Sequence, residues 1–151
     1  MNGELPPTIH GTAVAIGGRA VLLLGPSGSG KSDLALRLVL DHGATLVADD
    51  QVAVELRKDK LVAAPPATLA GLIEVRGLGI VPMAHRARVT LGLAVVLVAP
   101  DEVERLPEDD EGIEYFGVVL PLFRVAPFEV SAPHKVRLAA RLRKLSIMRR
   151  S

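Results

Sequence analysis

Gly25-Pro26-Ser27-Gly28-Ser29-Gly30-Lys31-Ser32 is the stretch whose reading decides the fold. It matches the phosphate-loop pattern G-x-x-x-x-G-K-[ST] at every fixed position. Glycines there let the backbone curl so that successive N–H groups point at phosphate oxygens. A helix starting at the end of the loop adds its positive N-terminus. Lys31 is then placed to reach β- and γ-phosphates, and the Ser32 hydroxyl to ligate magnesium. The pattern carries this meaning only between a strand and a helix. Both flanks comply. Ala20 to Leu24 is an apolar strand, and Lys31 to Asp41 has helical spacing, with Leu34 and Leu38 in phase and Gly43 as a stop signal.

Outward from the loop, Thr12 to Ile16 reads as a strand joined to Ala20–Leu24 by a Gly17-Gly18-Arg19 turn. Residues 1 to 8, with Pro6-Pro7, read as a tail. Beyond the helix, Thr45 to Ala48 is a short buried strand. Gln51 to Arg57 and Leu61 to Ala64 flank a Lys58-Asp59-Lys60 turn as a second hairpin. Pro65-Pro66, Gly71, Gly77, Gly79 and Pro82 break any long element between residues 65 and 85. Val89 to Val98 reads as strand, the acidic stretch Asp101 to Glu114 as loop, and Phe116 to Leu122 as strand. A C-terminal helix is expected from Ser131, with Ser131 as N-cap and Pro133 in the first turn. Its apolar stripe is Val136, Ala139, Ala140, Leu142, Leu145 and Met148. Hairpins combined with a strand–loop–helix unit indicate an α/β fold with a mixed sheet and a C-terminal helix.

Length and composition bound the function. A chain of 151 residues fits one domain with a core of its own. With no cysteine, a disulfide framework, a thiol nucleophile and a Cys-based zinc site are excluded. The longest apolar run, Leu93 to Pro100, is too short for a membrane span, so the expectation is a cytoplasmic protein with no membrane partner. Net charge is +1 and aromatics are 3% of residues, which gives nucleic acid neither a basic face nor stacking platforms. Charge is uneven all the same: Asp101 to Glu114 holds eight acids and one base, while Ser131 to Ser151 holds seven Lys or Arg and no acid. Solvated surface accounts for both, and the basic end is also suited to an acidic partner or anionic substrate.

Two further segments carry chemistry. Val47-Ala48-Asp49-Asp50 places adjacent carboxylates at the end of a strand, with Ala48 17 positions beyond Lys31. Beside bound phosphates, one carboxylate can hold magnesium while the other takes a proton from an attacking hydroxyl. Adjacent residues on a strand face opposite ways, so both serve only if the strand ends there. Ile73-Glu74-Val75-Arg76-Gly77-Leu78-Gly79-Ile80 puts Glu74 and Arg76 on one face of an extended segment. An arginine there can stabilise transferring charge, and a surface ion pair before a glycine turn explains the pattern equally well. His10, His42, His85 and His134 are isolated in sequence and mark no site by themselves.

Together, His10-Gly11, the loop Gly25–Ser32, Ala48-Asp49-Asp50 and Glu74 to Ile80 resemble, in that order, the catalytic domain of the bacterial HPr kinase/phosphorylase family. The resemblance runs over about residues 8 to 82. It implies a P-loop fold of the phosphoenolpyruvate-carboxykinase-like type in a single domain, acting with ATP and Mg2+. The implied reaction phosphorylates a serine of HPr, the phosphocarrier of the sugar phosphotransferase system. It also implies the reverse removal by inorganic phosphate, releasing pyrophosphate, and a hexameric ring. Residue by residue, Gly25, Pro26, Ser27, Gly28, Ser29, Gly30, Lys31 and Ser32 would hold the nucleotide. Asp49 would be the general base. Ser32, Asp50 and Glu74 would form the metal site, Arg76 would contact phosphate, and His10 would orient the aspartate pair.

The chain departs from the family in two places. The family usually carries an additional N-terminal domain, and the expectation from 151 residues is a short form without it. Its second signature contains Pro-Gly-Arg-Asn, where this chain reads Leu120-Pro121-Leu122-Phe123-Arg124-Val125-Ala126-Pro127, with Arg124 as the one arginine. These departures keep a second class open, a nucleotide- or phosphate-sensing module without transfer activity.

Overall fold

The fold is organised around β9, Val89–Leu97, an apolar strand paired along both edges. The computed structural model describes residues 6–107 and 111–142. One edge of β9 runs parallel to β3, Arg19–Leu24. The other edge is shared: its start pairs antiparallel with β6, Lys60–Ala64, and its end runs parallel to β11, Val118–Val125. β3 continues antiparallel to β2, Thr12–Ile16, and β2 to β4, Thr45–Ala48. Beyond β6 come β5, Gln51–Arg57, and β1, Thr8–His10, both antiparallel. β10, Gly112–Tyr115, closes the far side against β11, completing nine strands in one mixed sheet among the described residues.

Alternation along the strands makes two cores. Val14, Val21 and Leu23 pack with Leu34, Ala35 and Leu38 of helix α1, Lys31–Asp41, and with Ala132, Val136 and Ala140 of helix α2, Ala132–Leu142. The intervening Ala13, Ala15, Ala20 and Leu22 face Val47, Val52, Val54, Leu61 and Ala63, because the strands after α1 curl over the opposite face. β9 serves both cores through a change of phase. Ala20 pairs with Leu91 but Val21 with Leu93, so Gly92 is an extra residue. Val89 and Leu91 therefore face the second core, and Leu93, Val95 and Leu97 the first. One inserted residue flips every later side chain to the other face. Glycine suits the bulge, since a Cβ at Gly92 would lie 2.7 Å from the Arg19 side chain.

The helix over 31–41, the strand over 45–48 and the first two hairpins lie where the sequence pattern puts them. Four expectations are corrected. The tail through residue 8 ends earlier, because Thr8 already pairs with Ala53. The broken stretch 65–85 contains a 3-10 turn at Ala67–Leu69 and a separate hairpin, β7 Leu72–Val75 with β8 Gly79–Pro82. The glycines and prolines limit strand length there without preventing pairing. The acidic loop is shorter than expected, since Gly112–Tyr115 forms β10. Phe116 lies in the turn after it, at φ 53°, so β11 starts at Val118. α2 begins at Ala132 with the Ser131 carbonyl accepting from Lys135 N–H at 2.9 Å, the N-cap position for the backbone. The stripe residues Leu145 and Met148, the Leu142 side chain, residues 1–5, acidic residues 108–110 and the basic end beyond 142 lie outside the described residues. No described helix is long and apolar enough to cross a membrane.

Two measurements check this packing. Leu93→Ala removes a fully buried side chain from the strand that joins both cores. It is expected to cost about 2–5 kcal/mol of stability in urea unfolding. Leu40→Ala, at a residue of α1 that is itself 67% exposed, is expected to change stability by less than about 0.5 kcal/mol. The second concerns pH. Arg124 of β11 hydrogen-bonds Glu111 and holds its carboxyl below the ordinary 4.5. A lowered carboxylate stabilises the fold above its unfolded value, and this is lost as pH falls through the folded value. Glu111→Gln should therefore lower the unfolding midpoint at neutral pH and have no such effect at about pH 2.

Candidate active site

The loop after β3 turns tightly, with Ser29 N–H on the Pro26 carbonyl at 3.0 Å. It enters α1 at Gly30, whose carbonyl accepts the first helical bond from Leu34. Gly30 sits at φ 104°, a left-handed conformation that suits glycine, and a Cβ there would lie 2.8 Å from the Phe128 ring. Lys31 folds back over the loop and donates to the carbonyls of Gly25 at 2.7 Å and Pro26 at 3.0 Å. Burial pushes the Lys31 ammonium below its usual range, and the nearby charges of Asp50 and Asp49 oppose this. The amine is thus held by backbone carbonyls of the loop itself.

β4 ends at Ala48, and the chain reverses over the next three residues. Gln51 N–H donates to the Asp49 carbonyl at 2.8 Å, with Asp50 between them at φ 70°. Asp tolerates positive φ better than most residues, and such strain collects at functional sites. The turn separates the two carboxylates. Asp49 points inward, 6% exposed, and Asp50 outward, with its side chain 68% exposed. Asp49 Oδ1 accepts from Ser32 Oγ at 2.6 Å and Thr12 Oγ1 at 2.9 Å. Asp49 Oδ2 accepts from the Glu74 N–H at 3.0 Å. Asp50 Oδ1 lies 3.4 Å from His10 Nε2.

The hairpin β7–β8 is anchored against the first core by the buried Ile73, with Val75, Val81 and Met83 around it. Alternation then sends Glu74 and Arg76 the other way, toward the loop. A cavity of about 570 Å3 results, within the range of small-molecule sites. His10, Ser27, Gly28, Gly30, Lys31, Ser32, Asp50, Glu74 and Arg76 all line it, as expected from sequence. Asp49 lies behind this wall, bonded to it through Ser32 and Glu74. Gly25 is reached by Lys31 from within the loop. Arg124 is not in the described wall; it is paired with Glu111 instead.

Three contributors had no sequence signal strong enough to single them out. Thr12 reads as an ordinary strand threonine, and only its place opposite the end of β4 puts its hydroxyl on Asp49. Leu36 and Phe128 supply apolar wall, from α1 and from the loop before α2.

The donor set fits a magnesium ion. Among the described residues no three carboxylates or histidines form a ready-made metal cage. Mg2+ does not require one: it keeps several waters and binds through one or two carboxylates together with substrate phosphates. A hydroxyl, Ser32, 2.6 Å from a buried carboxylate, with Asp50 and Glu74 on the same cavity, is a set of that kind.

Comparison with known proteins shows the family of the chain. The family model described as HPr Serine kinase C-terminal domain matches residues 5–131. The HPr kinase/phosphorylase of Caldanaerobacter subterraneus subsp. tengcongensis is 42% identical over 127 residues, covering 76% of this chain and 41% of that protein. The HPr kinase/phosphorylase of Cupriavidus metallidurans is 38% identical over 128 residues, covering 78% and 39%. The chain thus spans about two fifths of the length of these curated relatives. The solved structure of the HPr(Ser) kinase/phosphatase from Coxiella burnetii superposes with a TM-score of 0.79 at 24% identity, covering 94% of this chain and 99% of that one. That likeness establishes the mixed α/β architecture with its C-terminal helix. With the family model matched across most of its length, the chain belongs to the HPr serine kinase C-terminal domain family.

Proposed function

We propose that this chain is a serine protein kinase that transfers the γ-phosphoryl group of ATP to HPr, on a P-loop fold of the phosphoenolpyruvate-carboxykinase-like type. One observation carries the reading. The phosphate loop and the aspartate pair, on separate elements, meet through the 2.6 Å hydrogen bond between Ser32 and Asp49. A phosphate-binding turn is thereby joined to carboxylates able to take a proton. Membership of the family and the relatives' names support the choice of acceptor.

In this proposal the loop amides and Lys31 hold the phosphates. The HPr serine oxygen forms a bond to the γ-phosphorus as the bond to the β-phosphate oxygen breaks, and ADP leaves. The serine proton passes to Asp49, held still by Thr12, Ser32 and the Glu74 amide. A positioned base needs that immobility. Arg76 offsets charge on the transferring group, and His10 steadies Asp50. Ser32, Asp50 and Glu74 would hold Mg2+, which supplies charge neutralisation on the phosphates. The family resemblance extends the proposal to the reverse transfer: an oxygen of inorganic phosphate bonds to the phosphoserine phosphorus as the bond to the serine oxygen breaks, the serine oxygen takes up a proton, and pyrophosphate is released.

A second reading exchanges the aspartates. Asp50 is the carboxylate that lines the cavity, while both Asp49 oxygens are already hydrogen-bonded. In that case Asp50 takes the proton and Asp49 works with Ser32 at the metal.

The test is intact-mass analysis of HPr incubated with the protein and magnesium-ATP. Phosphorylated HPr is expected. Unchanged HPr with ATP bound would favour a nucleotide-sensing module. Lys31→Ala is expected to lower turnover at least about 10²-fold, as removal of a group that stabilises developing charge does. Asp49→Asn is expected to lower it by about 10²–10⁴-fold while ATP binding persists. If Asp50→Asn shows that loss and Asp49→Asn instead weakens magnesium dependence, the roles are exchanged.

A further inference from the structure

Phe128 is an aromatic ring left open to solvent beside a phosphate loop, in a chain with only three phenylalanines. It is 72% exposed, although Ala126 and Pro127 before it are buried. The loop that presents it is held by hydrogen bonds. Arg37 of α1 donates to the Pro127 carbonyl, Glu129 N–H to Ala126 at 3.3 Å, and Ala132 N–H to Glu129 at 3.0 Å. One edge of the ring rests on Gly30, where the phosphate loop becomes α1. The ring therefore presents apolar surface to water beside the loop, which folding alone does not reward.

Its position is informative. His10, Asp50, Glu74 and Arg76 line the phosphate cavity only. Phe128 and Asp33 line that cavity and also a second one, of about 440 Å3, between the outer face of α1 and the start of α2. Arg37, His42, Val130, Pro133 and His134 complete much of its wall. A nucleoside triphosphate is a long ligand with a reacting end and a non-reacting end. When the reacting phosphate faces the carboxylates, the nucleoside must leave the loop on another side. The second cavity adjoins the loop, is partly apolar, and presents a flat ring.

We propose that Phe128 is the stacking platform for the nucleobase, and that the cavity between α1 and α2 receives the nucleoside of ATP while Gly25–Ser32 hold its phosphates. The inference rests on the reading of the loop as an ATP site. It adds a determinant of nucleotide affinity that the phosphate-loop pattern does not contain. Stacking on an open ring accepts any base, so the platform supplies affinity more than choice between purines.

Calorimetric titration of the wild-type chain, Phe128→Ala and Phe128→Trp with ATP and with tripolyphosphate tests this. The two ligands share phosphates and differ by the nucleoside. Wild type is expected to bind ATP more tightly than tripolyphosphate. Phe128→Ala should weaken ATP by roughly five- to tenfold, the low end for loss of a base–aromatic stack, and leave tripolyphosphate unchanged. Phe128→Trp should retain the preference. Equal weakening of both ligands by Phe128→Ala would make the ring a mere support for Gly30 and overturn the proposal. So would unchanged ATP affinity, or a raised KM for HPr alone. Wild type binding neither ligand would overturn the ATP reading itself, an outcome distinct from loss of the nucleoside preference.

Discussion

Everything in the cavity depends on one buried carboxylate and its three donors. Asp49 joins β2 through Thr12, α1 through Ser32 and β7 through the Glu74 amide, from its own position at the end of β4. Four segments separated by up to 62 positions, from Thr12 to Glu74, are thus fixed to one side chain. A carboxylate is an acceptor only, and three donors use both of its oxygens well. Removing any donor leaves part of a 6% exposed carboxylate unpaired, and that is where a fold loses most. The same clamp ties the separate β7–β8 hairpin to the main sheet.

The scaffold supports this clamp by carrying two cores on one sheet. The bulge at Gly92 lets β9 feed Val89 and Leu91 to one core and Leu93 to Leu97 to the other. β3 is held firmly between β9 and β2, so the loop leaving Leu24 starts from a rigid base. α1 is pinned by Leu34, Ala35 and Leu38, at helical spacing on the core side. Its opposite face, with Asp33 and Arg37, is left for the cavities. The candidate site residues come from strand ends, turns and a hairpin, each placed by buried neighbours: Ile73 for Glu74, and Ala48 for the aspartates.

Much of this was legible in the sequence because the decisive contacts are local. The loop Gly25–Ser32, α1 and β4 follow from spacing within about 25 residues, and glycine, helix phase and stop signal all agree there. The role of strand termination at Asp49-Asp50 follows from period-two geometry alone. What escaped depends on partners distant in sequence. Thr8 looks like the end of a tail because its strand partner, Ala53 of β5, lies beyond the loop–helix unit. Glycines and prolines between 65 and 85 were read as breakers, yet Gly77 and Gly79 lie at the turn of a hairpin whose strands are only four residues each. Phe128 carried no signal, since an isolated Phe after a proline has no periodicity, and only the fold brings it to Gly30.

The most direct measurement of the central claim is a crystal structure of the chain with Mg2+ and a non-hydrolysable ATP analogue. The expected result is a triphosphate cradled by Gly25–Ser32, with Lys31 turned from its carbonyls to the phosphates and the γ-phosphate beside Asp49 and Asp50. An analogue bound elsewhere, or one whose γ-phosphate points away from the aspartates, would contradict it.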